Sequence, residues 1–302
     1  MTAELIDGRA IAEDVRREVA EGVDRLVEER SVRPGLGVVL VGDDPASRTY
    51  VRLKTRACEE VGIAARDLAP PADASEEEVL GLVDELDRDP DVHGILVQLP
   101  LPDHVDERRV MERVDPAKDV DGFHPVNVGR LASGHPRCFR PATPAGIQEM
   151  LRRIGFDPEG RRAVIVGRSN IVGRPMAQIL LRKEPWANAT VTVAHSRTRD
   201  LGEVTREAEL LVVAVGRPGT VTAEMVADGA VVIDVGSNRV DDPSAEKGYR
   251  WVGDVEFEAV RGKASRITPV PGGVGPMTIA MLLRNTLEAA RRQSGAAPLA
   301  GG

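Results

Sequence analysis

The chain has 302 residues, of which 42% are hydrophobic and 29% charged, and a formal net charge of −8. This composition excludes a wholly disordered chain, a collagen-like chain and a membrane bundle. The acidic balance gives no support for binding nucleic acid nonspecifically. At about 150 residues per domain the length predicts two domains, each long enough to bury a full core. The segment Met1 to Asp7 lacks a basic region followed by an apolar stretch, so no signal peptide is expected. The longest apolar runs, such as Leu210 to Val215, are strand-sized, so no membrane span is expected either. The expectation is a cytoplasmic protein.

Cys58 and Cys138 form neither a CxxC pair nor a disulfide framework. The five histidines are scattered without metal-ligand spacing, so no built-in metal site is expected. Lysine occurs only at positions 54, 118, 183, 247 and 263, and the other 35 of the 40 basic residues are arginine. Arginine can replace a lysine that supplies surface charge, but not one that must release a proton. Each lysine is therefore worth inspecting.

In chain order, residues 7–30 read as a helix, with Ile11, Val15, Val19, Val23 and Leu26 on one face. A strand follows at 36–42, a helix at roughly 46–61, a strand near 64–69 and a helix near 75–87. The strand HGILVQLP (93–100) and a short helix near 105–113 complete a first βα series. This alternation predicts a parallel sheet with helices on its faces. The glycine- and proline-rich stretch from Pro116 to Pro144 reads as a loop and a domain boundary. After a helix near 145–154, strands at 162–167, 189–195, 209–216 and 230–236 resemble the core of a nucleotide-binding sheet. Residues 275–292 read as a final helix, and the segment after it as a frayed tail.

The most informative turn is VIVGRSNIVGRPM (164–176). A buried strand ends at Gly167, a polar loop Arg168-Ser169-Asn170 follows, and a helix starts near Gly173. A glycine at a strand end lets a phosphate approach the backbone, and a helix start offers free N–H groups. The spacing is neither the GxGxxG dinucleotide fingerprint nor a P-loop, and an ordinary βα turn is the alternative. The next strand ends in His195-Ser196-Arg197-Thr198, with no acid to hold a ribose 2′-hydroxyl. A hydroxyl and a guanidinium suit a 2′-phosphate, which favours NADP over NAD.

In the N-terminal half, Tyr50 and Lys54 are four residues apart near the start of a helix and project from one face. A lysine in a partly apolar cleft can lower its pKa and act as an acid or base. A tyrosine one turn away can stack on an aromatic ligand. Gln98 is a polar amide at the C-terminal end of a very apolar strand, where ligands of parallel sheets bind. Asp119-Val-Asp-Gly places Asp121 beside a turn, where it could accept paired N–H donors from a heterocycle. The plainer alternatives are a solvated helix pair, a satisfied core amide and an Asx-turn. Thr268 to Thr278 (TPVPGGVGPMT) combines rigid prolines with glycines that allow close ligand approach.

Together these segments resemble the bifunctional methylenetetrahydrofolate dehydrogenase/cyclohydrolase (FolD) family. The resemblance rests on YVRLKTRACEEVGI (50–63), GILVQLPLP (94–102), KDVDGFHP (118–125), PATPAGI (141–147), VGRSNIVGRPM (166–176), HSRT (195–198) and TPVPGGVGPMT (268–278), in the family's order. It implies a two-domain α/β fold: an N-terminal three-layer α/β domain with a parallel sheet, a Rossmann-like NADP-binding domain, and an active-site cleft between them. The implied folate-binding domain is 1–140 with 273–302, the last helix returning to it, and the implied nucleotide domain is 141–272. The resemblance implies Lys54 as the central catalytic group, with Tyr50, Gln98 and Asp121 beside it. It places Ser47, Tyr50, Asp121, Pro271, Gly272 and Gly273 at the folate, and Gly167, Arg168, Ser169, Ser196, Arg197 and Ser237 at the NADP.

Two positions depart from the family's pattern. Ala142 stands where a cysteine is usual, and Ser237 where an isoleucine is common, so the cofactor contact at 237 is expected through the backbone. The implied function is oxidation of 5,10-methylenetetrahydrofolate with NADP⁺ and hydrolysis of the product to 10-formyltetrahydrofolate, by a homodimer without metal. The rival readings are an NAD(P)-dependent dehydrogenase of another small substrate and a non-catalytic NADP-binding sensor. Lys54, Gln98 and Asp121 together argue against the sensor.

Overall fold

The computed structural model describes residues 2–299 and runs through alternating strands and helices. After a short strand β1 (Glu4–Leu5), helix α1 (Gly8–Arg30) begins where the Asp7 carboxylate accepts the N–H groups of Arg9 and Ala10, at 3.0 and 3.1 Å. Those are amides that a first helical turn leaves without partners. Strand β2 (Gly35–Val39), helix α2 (Pro45–Glu60), strand β3 (Ala64–Leu68), helix α3 (Glu76–Arg88), strand β4 (Gly94–Val97) and helix α4 (Glu107–Arg113) follow. Helix α3 starts with a capping box between Ser75 and Glu78.

Helix α5 (Pro125–Ala132) lies inside the stretch expected to be loop. Its proline sits in the first turn, where no amide hydrogen is needed, and His124 Nδ1 accepts the Val126 N–H at 3.0 Å. The density of Gly and Pro hid this short helix from its sequence pattern. Then come α6 (Ala142–Arg153), β5 (Arg162–Val166), α7 (Gly173–Leu180), β6 (Thr190–Ala194), α8 (Leu201–Thr205), β7 (Leu210–Val213) and β8 (Val231–Asp234). The chain continues through β9 (Asn238–Asp241), β10 (Tyr249–Val252), α9 (Phe257–Arg261), β11 (Arg266–Ile267) and α10 (Val274–Gln293). Among the described residues no helix is long and apolar enough to cross a membrane.

The chain divides into two compact units. One holds Glu13–Ala142 and the chain from Ile279 onward; the other holds the chain up to Ala12 and Thr143–Thr278. In the first, three parallel strands lie in the order β3-β2-β4. Every residue of β2 and β4 is buried, as expected of strands covered on both faces. Val79, Val83 and Leu86 of α3 and Val110 of α4 close over Val39, Ile95 and Val97. A parallel bridge between Ile95 and Asp119 ties the turn after α4 to the sheet. From α10, Asn285 Nδ2 donates to the carbonyls of Val120 and Arg140, at 2.7 and 3.0 Å, and holds that turn from the other side.

The segment expected to fray is instead tied down as far as it is described. Gln293 Nε2 donates to the His93 carbonyl at 2.8 Å, and the Leu299 N–H to Glu288 at 2.9 Å. Its last three residues lie outside the described residues, as does Met1.

The second unit has six parallel strands in the order β1-β11-β8-β7-β5-β6, together with the antiparallel hairpin β9–β10. From β5 the chain moves outward to β6, then returns across to β7 on the other side. That reversal puts a topological switch point at the C-terminal end of β5, the usual ligand crevice of an open parallel sheet. The N-terminal residues lie with this sheet rather than with the sheet of β2, because Glu4 and Leu5 pair with Arg266 and Ile267. A two-residue strand leaves no periodicity, so the expected boundaries at 140 and 272 could not include it.

Candidate active site and cofactor loops

In the first unit the site is built on α2. Asp44 caps this helix by accepting the Ser47 N–H at 2.8 Å, and the backbone and hydroxyl of Ser47 hold the Asp44 carboxyl below its usual pKa. Ser47 itself is buried at that cap. One turn on, Tyr50 is 41% exposed while Lys54 is only 7% exposed. The Lys54 ammonium lies 5.4 Å from the centre of the Tyr50 ring and donates a 3.1 Å hydrogen bond to Gln98 Oε1. Gln98 follows β4, and its Nε2 donates to the Leu99 carbonyl at 2.7 Å. That second bond fixes which end of the amide faces the lysine.

Burial pushes the Lys54 pKa down from its ordinary value, while the charge of Asp121 pushes it back up. Asp121 keeps some accessible surface, but protein surrounds its carboxyl, and this desolvation pushes its pKa up to about 6. Lys54 works against that rise and Asp119 adds to it. No direct ion pair joins Lys54 and Asp121; they sense each other's charge at longer range. The Cys58 thiol, one turn beyond Lys54, is pushed up to about 12 by burial and nearby acids, so it stays protonated.

Asp119 shapes the turn that presents Asp121. It is 2% exposed, and its carboxylate accepts the N–H groups of Gly122, Phe123 and His124, at 3.1, 3.2 and 2.9 Å. It also accepts Asn127 Nδ2 at 2.8 Å. The two acids of Asp119-Val-Asp121 thus divide their tasks, one satisfied inside the turn and one turned toward Lys54's field. Sequence reading named Asp119 only within the Asx-turn alternative and gave Asn127 no role. The available signal was an acid held within a short Gly-bounded turn.

In the second unit the expected cofactor residues sit at the C-terminal ends of adjacent strands. The Gly167 N–H donates to the Ala194 carbonyl at 2.8 Å, bringing the ends of β5 and β6 together. Gly167 has φ +131°, and a side chain there would strike the Ala214 carbonyl. A Cβ at Gly173 would strike the Gly167 carbonyl. Only glycines allow this close strand-to-helix turn, which is the cradle a dinucleotide phosphate needs. Ser169 folds its hydroxyl back onto the start of α7, accepting the N–H groups of Val172 and Gly173 at 3.1 and 3.4 Å. Its hydroxyl hydrogen remains a donor.

Arg168, Ser196 and Arg197 are exposed, and their side chains make no hydrogen bond among the described residues. His195 and Thr198 shape that turn instead: the His195 N–H donates to Thr198 Oγ1 at 2.9 Å and the Arg197 N–H to His195 Nδ1 at 3.1 Å. Ser237 is exposed in the loop between β8 and β9. Pro271 is exposed, Gly272 has φ +108°, and Gly273 is buried against Thr268 and Pro269. The structure therefore brings Tyr50, Lys54, Gln98 and Asp121 together in one unit, with Ser47 at the cap of the same helix. It puts the remaining expected residues at strand ends and loops of the other. Among the described residues no group of three His, Cys, Asp or Glu side chains is placed to hold a metal ion.

A switch-point parallel sheet with a glycine-lined βα turn, joined in one chain to an α/β unit carrying a buried lysine, defines a two-domain nucleotide-binding α/β protein. The family model described as the tetrahydrofolate dehydrogenase/cyclohydrolase catalytic domain matches residues 6–121. The model of its NAD(P)-binding domain matches residues 141–294. The chain belongs to the tetrahydrofolate dehydrogenase/cyclohydrolase family.

It is 60% identical over 289 residues to the bifunctional protein FolD of Salinibacter ruber, covering 96% of each chain. It matches the crystal structure of the bifunctional FolD enzyme of Campylobacter jejuni with a TM-score of 0.90 and 48% identity, over 96% of this chain and 99% of that one. It also matches the Trypanosoma brucei methylenetetrahydrofolate dehydrogenase-cyclohydrolase, solved with NADP and an inhibitor, with a TM-score of 0.90 and 41% identity, over 97% of this chain and 98% of that one.

Proposed function

We propose that this protein oxidises 5,10-methylenetetrahydrofolate to 5,10-methenyltetrahydrofolate with NADP⁺, and hydrolyses that product to 10-formyltetrahydrofolate. The observation that carries the reading is the buried Lys54 ammonium bonded to Gln98 at 3.1 Å, on the helix face shared with Tyr50. Family membership supplies the substrate class.

NADP⁺ supplies the hydride acceptor for the first step. The chain's part in that step is to hold both reactants in register, because hydride transfer gains most from position. Tyr50 offers an exposed ring for stacking on the folate, and Asp121 a carboxylate for the N–H edge of its heterocycle. Pro271, Gly272 and Gly273 offer a rigid wall with little side chain. Gly167, Arg168 and Ser169 provide a phosphate cradle, and the unpartnered Ser196 and Arg197 provide a hydroxyl and a guanidinium for a 2′-phosphate. Ser237 contributes through its backbone.

The second step adds water to the cationic methenyl carbon, opens the ring and releases a proton. That chemistry needs a group that can take up and return protons. Lys54 fits because burial makes its ammonium easier to deprotonate than a solvated lysine's, and Gln98 holds it in place.

The protein is further proposed to work in the cytoplasm as a homodimer. β6 supports the second point, as it is one of the two edge strands of the six-stranded sheet and carries an exposed Val193. Sedimentation of the purified chain tests that point. The function is tested by an absorbance assay with methylenetetrahydrofolate, run with NADP⁺ and NAD⁺ separately, followed by decay of the methenyl product. Saturable, folate-dependent NADPH formation and accelerated ring opening are expected. NADPH formation without a folate would point to a different substrate, and equal rates with both cofactors would remove the 2′-phosphate assignment.

A further inference from the structure

Two buried carboxylates in the second unit belong to none of the roles above. Asp254 has no accessible surface. Its Oδ2 accepts the N–H groups of Val215 and Gly216, at 2.7 and 2.9 Å, and its Oδ1 accepts the Arg217 N–H and Asn238 Nδ2, both at 2.8 Å. Three successive amides around Gly216 at φ +68° form a concave donor nest of the kind that binds anions. Here the nest is filled by the chain's own side chain, so it is not a phosphate site.

Asp234, at the end of β8, is 1% exposed. Its carboxylate accepts the N–H groups of Gly236, Asp254 and Val255, at 2.9, 2.9 and 3.0 Å. Its backbone N–H donates to Thr268 Oγ1 at 2.7 Å. The two acids therefore form one chain of contacts. It runs from Thr268 through Asp234 to the backbone of Asp254, and through the Asp254 carboxylate to residues 215–217 and Asn238.

These contacts spare the sheet itself. β7 and β8 are held by their own ladder, with Val213 opposite Asp234. The carboxylates bond to amides beyond the strand ends, in loops at the ligand-binding edge of a parallel sheet. Those loops include Ser237, and they begin where β7 and β8 stop.

We propose that Asp254 and Asp234 are positioning residues for the dinucleotide: through buried hydrogen bonds they hold residues 215–217 and 236–238 in the conformation that binds it. The proposal rests on the NADP reading above. Its chemistry is acceptor-specific. A carboxylate has two acceptor oxygens, whereas an asparagine has one oxygen and one NH₂. Whichever way an amide at position 254 turned, at least one backbone N–H donor would face another donor and lose its partner; only Asn238 could turn its own amide to accept.

The test compares three readouts in the full-length Asp254→Asn variant: NADPH affinity by fluorescence titration, KM for NADP⁺, and hydrolysis of methenyltetrahydrofolate without dinucleotide. The first two should weaken by about tenfold, since at least one buried backbone N–H loses its acceptor. Dinucleotide-free hydrolysis should stay within about twofold of wild type, because it uses none of these loops. Unchanged NADPH affinity in the folded variant overturns the proposal. So does a parallel loss of NADPH binding and dinucleotide-free hydrolysis, which would mark a merely structural role. Asn238→Ala, which removes one of the four donors and leaves the three amides paired, covers the case in which Asp254→Asn does not fold. It should weaken NADPH in the same direction by a few-fold, and an unchanged affinity there counts against the proposal. A wild-type protein that does not bind NADPH refutes the cofactor reading, and the positioning role with it, before either variant is compared.

Discussion

The two units use different parts of the chain for their expected work. Around α2 the chemistry resides in side chains: a buried ammonium, an amide that holds it and a carboxylate with a raised pKa. At the ends of β5 to β8 it resides in backbone: glycine turns that admit a phosphate, and loop amides gathered by carboxylates that face inward. Asp121 and Asp254 make the contrast sharp. One is left with capacity for a ligand; the other spends all its acceptor capacity on the fold. The difference teaches that a side-chain site is lost by changing one functional group, whereas a backbone site is weakened by changing what shapes it.

The largest expected effect follows from replacing the group proposed to move a proton. Lys54→Arg keeps the charge but holds its proton too tightly. Ring opening should fall by about a hundredfold or more, with hydride transfer falling less. Initial rates of both reactions measure this, and ring opening at the wild-type rate would take Lys54 out of its role. The backbone counterpart is Gly167→Ala, which forces a Cβ into the Ala214 carbonyl at φ +131°. Strain of about 1–3 kcal/mol should lower the melting temperature and weaken NADPH by roughly tenfold. If both stayed at wild-type values, the close turn would not be shaping the site.

Asp121→Asn probes electrostatics within the side-chain site. The Asp121 charge helps hold the proton on Lys54, so its removal should shift the alkaline limb of the hydrolysis pH profile to lower pH. The same change bears on stability. Burial pushes the Asp121 carboxyl up to about 6 in the fold, from its ordinary 3.8. As pH rises between these values the unfolded chain ionises first, so folding stability falls across that window. An asparagine has no such loss, so at pH 7 the variant should gain on the order of 1 kcal/mol over wild type while binding folate less tightly. Denaturant titrations at pH 4 and pH 7 check the sign, and a variant that is relatively weaker at pH 7 would contradict it. The smallest effect belongs to an exposed side chain. Arg197→Ala should reduce the preference for NADP⁺ over NAD⁺ by a few-fold, read as the ratio of kcat/KM values. An equal loss with both cofactors would place Arg197 elsewhere on the dinucleotide.

Much of the fold was legible because its strands are apolar runs and its helices carry apolar residues at helical spacing. β4, β5, β7 and β8 fall within runs read as strands, β2 starts one residue before its run, and α1, α2 and α3 lie within a residue or so of their expected ends. The side-chain site was legible for a related reason. Lys54 stood out by its rarity, its spacing from Tyr50 and the family resemblance, and Gln98 is a polar group in a strand that otherwise reads as buried, which marks it as costly unless it is used. The same signal was present at Asp234, an acid ending the strand AVVID, and at Asp254 after Trp251-Val252-Gly253, but their partners are loop amides that leave no pattern. β1 and β11 were illegible because two residues have no period, and only pairing, of β1 with β11 and of β11 with β8, makes them strands.

The five lysines show where the division falls. The sequence by itself determined that lysine is rare here, and that Lys54 lies one helical turn from Tyr50, because both are local facts. It assigned nothing to Lys118, which is equally buried. The tertiary structure decides how the two differ. Lys118 Nζ donates to the carbonyls of Leu86, Asp87 and Asp89, at 3.2, 2.8 and 2.8 Å, and closes the C-terminal end of α3. Lys54 Nζ instead has one amide acceptor and an aromatic face. An ammonium with three donors needs three partners. Whether the fold supplies all of them, or leaves room for a ligand, is set by residues some thirty to forty-four positions away.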